Sequence, residues 1–174
     1  MTCASPAALD ALQTWLEQQK ALNGAAANTI TAYQNDLLGF LSFITLHKGQ
    51  SQGLGALAKI TLPDMRSWMA QERGRGVGAR SLARSLSAVK TFYRWLAERE
   101  GFEPTAVLST RAPKFHKKLP RPLAQDAAVE LLEVVATQPK EDWITARDEA
   151  VITLLYGCGL RISEALSLTR ADVP

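Results

Sequence analysis

The first hundred residues contain no stretch that alternates apolar and polar side chains at strand period, which leaves helices as the expected building material. Long apolar runs are missing too. The longest, AVITLLYGCGL at positions 150–160, falls far short of the roughly 20 residues that a membrane-spanning helix needs. The amino-terminal stretch MTCASPAALDALQTWLEQQK has no basic start and no continuous apolar block, and it carries Asp10, which argues against a secretory signal. No membrane association is expected. Cysteine is scarce. Cys3 and Cys158 form neither a CxxC pair nor a framework spacing, so a disulfide scaffold is excluded and a reducing compartment, the cytoplasm, is expected. His47 and His116 share no helix and have no ligand-like neighbours, which argues against a metal centre. Cys158 has no nearby histidine in sequence to activate it and reads as a small buried turn residue.

What is present is an ordinary globular composition: 174 residues, 47% apolar and 21% charged, enough for one large domain or two small ones. The net charge of +3 hides a segregation. Between Arg73 and Arg121 twelve Lys and Arg face only Glu98, Glu100 and Glu103, whereas the remainder holds eight basic and fourteen acidic residues. A basic segment of this kind suits a polyanion such as nucleic acid or an acidic membrane; a merely solvated basic surface is the other reading.

Apolar spacing predicts helices over about 6–22 (Leu9, Leu12, Trp15, Leu16) and 29–46 (Ile30, Tyr33, Leu37, Phe40, Ile44), the second capped by Asn28. After the glycine-rich loop KGQSQGLG, LPDMRSWMAQER predicts a third helix with Pro63 at its start. The fourth, over 79–99, places Leu82, Leu86, Val89, Tyr93 and Leu96 on one face. Arg80, Arg84, Ser87, Thr91 and Arg94 fall on the other, with no carboxylate until Glu98. A solubilising face mixes Glu with Lys at i,i+4. This one lacks acids over four turns and suits a DNA groove, where Arg forks onto phosphate or guanine and hydroxyls reach phosphates or base edges. Positions 101–122 hold four prolines, five Lys and Arg and one His, and read as an extended linker, either a tether or a strap along phosphates. Two further helices are predicted over 124–136 and 144–156.

GRGVGA at 74–79 matches G-x-G-x-x-A in outline. It follows a helical, polar stretch rather than a strand, so it reads as a turn feeding the arginine-rich helix and not as a dinucleotide site. In YGCGLRISEALSLTRADVP, Gly157 and Gly159 permit a tight turn, and Arg161 on the first turn of the next helix offers a permanent fork to an anion. Glu164 is placed to orient it, and Leu160, Ala165, Leu166 and Leu168 to hold that helix on the core. By residue pattern alone, an ordinary structural turn is the stronger reading.

LLYGCGLRISEALSLTRADV closely resembles the first conserved box of the tyrosine site-specific recombinases, the Xer/phage-integrase family. NTITAYQNDLLGFLSF and SLSAVKTFYRWLAERE are similar to that family's second and fourth amino-terminal helices, and APKFHKKLPRPL to its interdomain linker. The resemblance implies an all-α chain here: a four-helix, SAM-like core-binding domain at 1–100, a basic linker at 101–122, and at 123–174 the first helices of a mixed α/β catalytic domain. It implies cofactor-free transesterification through a 3′-phosphotyrosine. Arg161 matches the first catalytic arginine and Glu164 its acidic supporting position. The family's lysine, HxxR histidine and arginine, second His/Trp and nucleophilic tyrosine all lie beyond that box. Tyr156 precedes it and reads as a core residue, so the expectation is an incomplete, inactive piece of a recombinase.

By the same resemblance Thr31 and Asn35, with Arg80, Arg84, Ser87, Lys90, Thr91 and Arg94, would lie along duplex DNA. Lys114, Lys117, Lys118 and Arg121 would neutralise phosphates. The implied partners are a double-stranded recombination site and a second, XerD-type recombinase in a heterotetramer. A non-catalytic helical DNA-binding regulator or decoy is the alternative. A purely structural interaction module fits the acid-free face poorly.

Overall fold

The computed structural model describes residues 4–49, 53–115, 124–137 and 141–172. It divides into two units, 1–117 and 118–174. Every regular element among the described residues is a helix.

The first unit begins with α1 (Pro6–Ala21), where the Ser5 hydroxyl accepts the Ala8 amide hydrogen at 3.2 Å and Pro6 stands at the first position, which needs no amide donor. Helix α2 (Ala27–Lys48) packs against it. Its cap is Ala26 rather than the expected Asn28: the chain becomes helical two residues earlier, and no side chain takes the cap role. The glycine-rich loop contains a single turn, α3 (Leu54–Leu57), whose fully buried Leu57 anchors it. Helix α4 (Leu62–Gly74) starts on a capping box in which Thr61 and Asp64 satisfy each other's backbone donors. Helix α5 (Ala79–Glu100) stops at Gly101, whose φ of 73° only glycine adopts cheaply.

The apolar stripes meet as their spacing requires. Leu82, Leu86, Val89, Tyr93 and Leu96 of α5 are all buried, against Trp15 of α1, Leu37, Phe40 and Ile44 of α2 and Trp68 of α4. Aromatic rings supply the bulk: Phe40 meets Trp68 edge to face at 5.1 Å and Tyr93 at 6.0 Å, and Trp15 meets Phe92 at 5.6 Å. Tyr93 threads its hydroxyl to the Leu57 carbonyl at 3.2 Å, and burial pushes its phenol pKa up. Asp64, in the first turn of α4, is 6% exposed at the side chain, with Lys48 Nζ at 2.8 Å and His47 Nε2 at 3.2 Å. Burial pushes its carboxyl up. The Lys48 bond and those from Thr61 outweigh burial and hold it at about 2.

The segment predicted to be extended contains α6 (Thr105–Ser109), directly after Pro104. A proline just before a helix removes no needed donor, and burial of Val107 repays the turn. From Thr110 to Phe115 the chain has no regular structure.

The second unit pairs α7 (Gln125–Thr137) with α8 (Asp142–Gly157), followed by α9 (Ile162–Ser167) and a 3₁₀ turn, Arg170–Asp172. Its described residues bury little beyond Ala128 and Val135. Several sequence expectations change here. Tyr156 is half exposed, Leu166 is 73% exposed, Leu168 lies on the surface, Leu160 and Ala165 are only partly covered, and Cys158 is exposed. For α9 the physical reason is visible: among the described residues it packs mainly on α8, so its apolar side chains meet little of a second layer within this unit.

Candidate nucleic-acid interface

Helix α5 presents Arg80, Arg84, Ser87 and Arg94 to solvent, with Thr91 partly covered. It is flanked on one side by α2. Across that seam Arg84 donates from both terminal nitrogens to Asp36, at 2.6 and 3.0 Å. Ser85 Oγ donates to the same carboxylate at 2.8 Å. The acid-free character read along α5 is therefore local to that helix; α2 supplies the carboxylate. The bidentate pair uses two of the five guanidinium N–H donors and leaves the rest for a ligand. Asn35 lines a small cleft of about 180 Å³ beside this pair, together with Asp36, Glu72 and Arg75. Arg80, Ser81, Ala83 and Arg84 line a neighbouring open cleft of about 510 Å³ with Phe115.

The hydroxyls are less free than their positions on the helix suggest. Thr91 Oγ1 donates to the Ser87 carbonyl at 2.9 Å and Thr31 Oγ1 to the Ala27 carbonyl at 3.1 Å, so each meets a ligand as an acceptor unless its hydroxyl rotates. Lys90 turns toward α6 and donates to the Leu108 carbonyl at 2.7 Å. Burial, reinforced by the charge of Arg94, pulls its pKa down. Lys114 is exposed. Lys117, Lys118, Arg121 and His116 lie outside the described residues. No set of three or more metal-ligating side chains gathers among the described ones, and none of their helices is long and apolar enough to cross a membrane.

In the second unit the turn before α9 uses Gly159 at φ 66°, a conformation that other residues adopt only with strain. Arg161 follows in extended geometry. Glu164 accepts its backbone N–H at 2.7 Å and its guanidinium at 2.6 Å. Those bonds, the backbone one first, pull the Glu164 carboxyl pKa down. One carboxylate thus starts the helix and fixes the fork, which stays 81% exposed.

The family model described as "Phage integrase, N-terminal SAM-like domain" matches residues 12–100, the span from α1 through α5. The chain belongs to the phage integrase family. Similar curated proteins, each called tyrosine recombinase XerC, include one from Rhodospirillum centenum, 45% identical over 171 residues, covering 97% of this chain and 50% of its own. One from Brucella suis is 40% identical, with 91% and 50% covered. Another, from Agrobacterium fabrum, is 39% identical, with 100% and 55% covered. The chain spans about half the length of the curated relatives it matches. No solved structure matches it.

One group of cations in the first unit is not evident from the sequence. Arg66 and Arg73 of α4 and Arg111, just after α6, line a cleft of about 530 Å³. The signal was present in part, since a seven-residue spacing puts Arg66 and Arg73 on one helix face. Nothing in the sequence places Arg111 opposite them. Asp36 was missed for the same reason: its partner lies 48 residues away.

Proposed function

We propose that this chain is the DNA-binding half of a XerC-like tyrosine recombinase, laying α2 and α5 along the major groove of a recombination site. The observation that carries this reading is the exposed Arg80, Arg84, Ser87 and Arg94 face, braced on α2 by Asp36. Arginines held on a rigid helix keep the geometry that base and phosphate contacts demand. Thr31, Asn35 and Thr91 flank the face, and Lys90 serves as the tie to α6 while adding charge. Lys114, with Lys117, Lys118 and Arg121, neutralises phosphates.

In the whole recombinase a tyrosine attacks the scissile phosphate, giving a 3′-phosphotyrosine that a 5′-hydroxyl from a partner strand resolves. Arg161 stabilises the charge growing on the non-bridging oxygens, and Glu164 holds its fork in place. No cofactor takes part. Of that catalytic set these residues supply Arg161, with Glu164 beside it. The wording YGCGLRISEAL favours the XerC branch, and with it a XerD-type partner in a heterotetramer, chromosome-dimer resolution and a cytoplasmic setting.

The test is a duplex titration of ¹⁵N-labelled chain. Amide shifts concentrated in α2 and over residues 79–94 are expected. Shifts confined to other surfaces, or none at low salt, would sink the reading.

A further inference from the structure

The cleft between α4 and the segment after α6 contains three guanidinium groups, from Arg66, Arg73 and Arg111, all on exposed residues. No ion pair joins any of the three to a described carboxylate. The two acids of α4 are engaged elsewhere: Asp64 is buried against Lys48 and His47, and Glu72 pairs with Arg75 at 3.0 Å. The stretch from Thr105 to Phe115 contains no acid at all. Leu62 and Met69 also line the cleft, offering apolar surface that arginine stems can cover while their charged ends stay in water.

Three permanent charges left unneutralised in one concavity repel one another and favour a polyanion that releases its counterions on binding. Arg66 and Arg73 are two helical turns apart, roughly 10.5 Å along α4, so the two side chains can reach separate phosphates rather than share one. Continuity favours the same duplex. Arg111 opens the short run that ends at Phe115 in the cleft with Arg80 and Arg84, and Lys114 lies between. We propose that Arg66, Arg73 and Arg111 form a second, sequence-independent phosphate site, which grips the DNA backbone beside the stretch faced by α5.

This inference rests on the DNA-binding reading, and the experiment separates the two. Affinity of the whole chain is measured across a salt series for a duplex carrying a XerC-type half-site and for a scrambled duplex. The proteins compared are wild type, the triple variant R66Q/R73Q/R111Q and the triple lysine variant R66K/R73K/R111K. The glutamine variant is expected to lose at least about tenfold in affinity for both duplexes alike. Its salt slope should flatten by roughly 2 to 3, the contribution of up to three phosphates at about 0.9 each, with the half-site preference kept. The lysine variant should recover most of the slope. A glutamine variant that melts like wild type and binds with an unchanged slope overturns the phosphate site and leaves the DNA-binding reading intact. A wild type that binds neither duplex removes both.

Discussion

Arg84 of α5 and Asp36 of α2 form a two-pronged ion pair, at 2.6 and 3.0 Å, across the seam between the two helices proposed to lie on DNA. The carboxylate is nearly buried while the guanidinium is half exposed. The pair therefore aims the arginine more than it stabilises the fold. Asp36→Ala is expected to cost under about 1 kcal/mol, because one partner is solvated, while the half-site preference falls several-fold as Arg84 loses its orientation. Urea unfolding and paired binding curves measure the two effects. A preference unchanged in the variant would show that Arg84 is not positioned by Asp36.

Phe40 sits where α2, α4 and α5 meet, in edge-to-face contact with Trp68 and Tyr93. Phe40→Ala is expected to cost about 3–5 kcal/mol, the range for removing a buried aromatic side chain. Denaturant midpoints at constant m-value check this. A loss below about 1 kcal/mol would mean that the three rings do not form the keystone of the first unit.

Acid should loosen α4 at one group. The Asp64 carboxyl lies at about 2 rather than the ordinary 3.8, so its contribution is complete above pH ~4 and disappears as pH falls through about 2. The shift corresponds to about 2 kcal/mol. Stability measured from pH 5 down to pH 2 should fall less steeply in Asp64→Asn than in wild type. Parallel curves would contradict the assignment.

The helices proposed for DNA contact were legible because their apolar stripes are long and regular: Leu82 to Leu96 in α5 and Leu37 to Ile44 in α2 all reached the core. Local chemistry read less well. Asn28 looked like a cap, yet Ala26 holds that place and no side chain caps the helix. The proline-rich linker hid α6, since Pro104 begins a helix as readily as it breaks one. Pairings between distant residues were invisible: Asp36 with Arg84, Lys90 with the Leu108 carbonyl, Arg111 with Arg66 and Arg73. In the second unit the Arg161 and Glu164 partnership was readable from a three-residue spacing, whereas the exposure of Leu166 and Tyr156 was not.

Glu164 offers a local check on the Arg161 corner. Its carboxyl should titrate below the ordinary glutamate range, followed by carbon-13 chemical shift. Arg161→Ala removes the guanidinium bond but keeps the backbone one, so the midpoint should rise without returning fully. An ordinary midpoint in the wild type would mean that the fork is not held.

The most direct measurement is binding of the whole chain to a duplex carrying a XerC-type half-site and to a scrambled duplex, across a salt series, with Arg80→Ala plus Arg84→Ala alongside. Tighter binding to the half-site, falling steeply with salt and lost in the double variant, is the predicted result. Absence of binding at low salt, or equal binding to both duplexes that survives the double variant, would contradict the assignment of α5 as the helix that meets DNA.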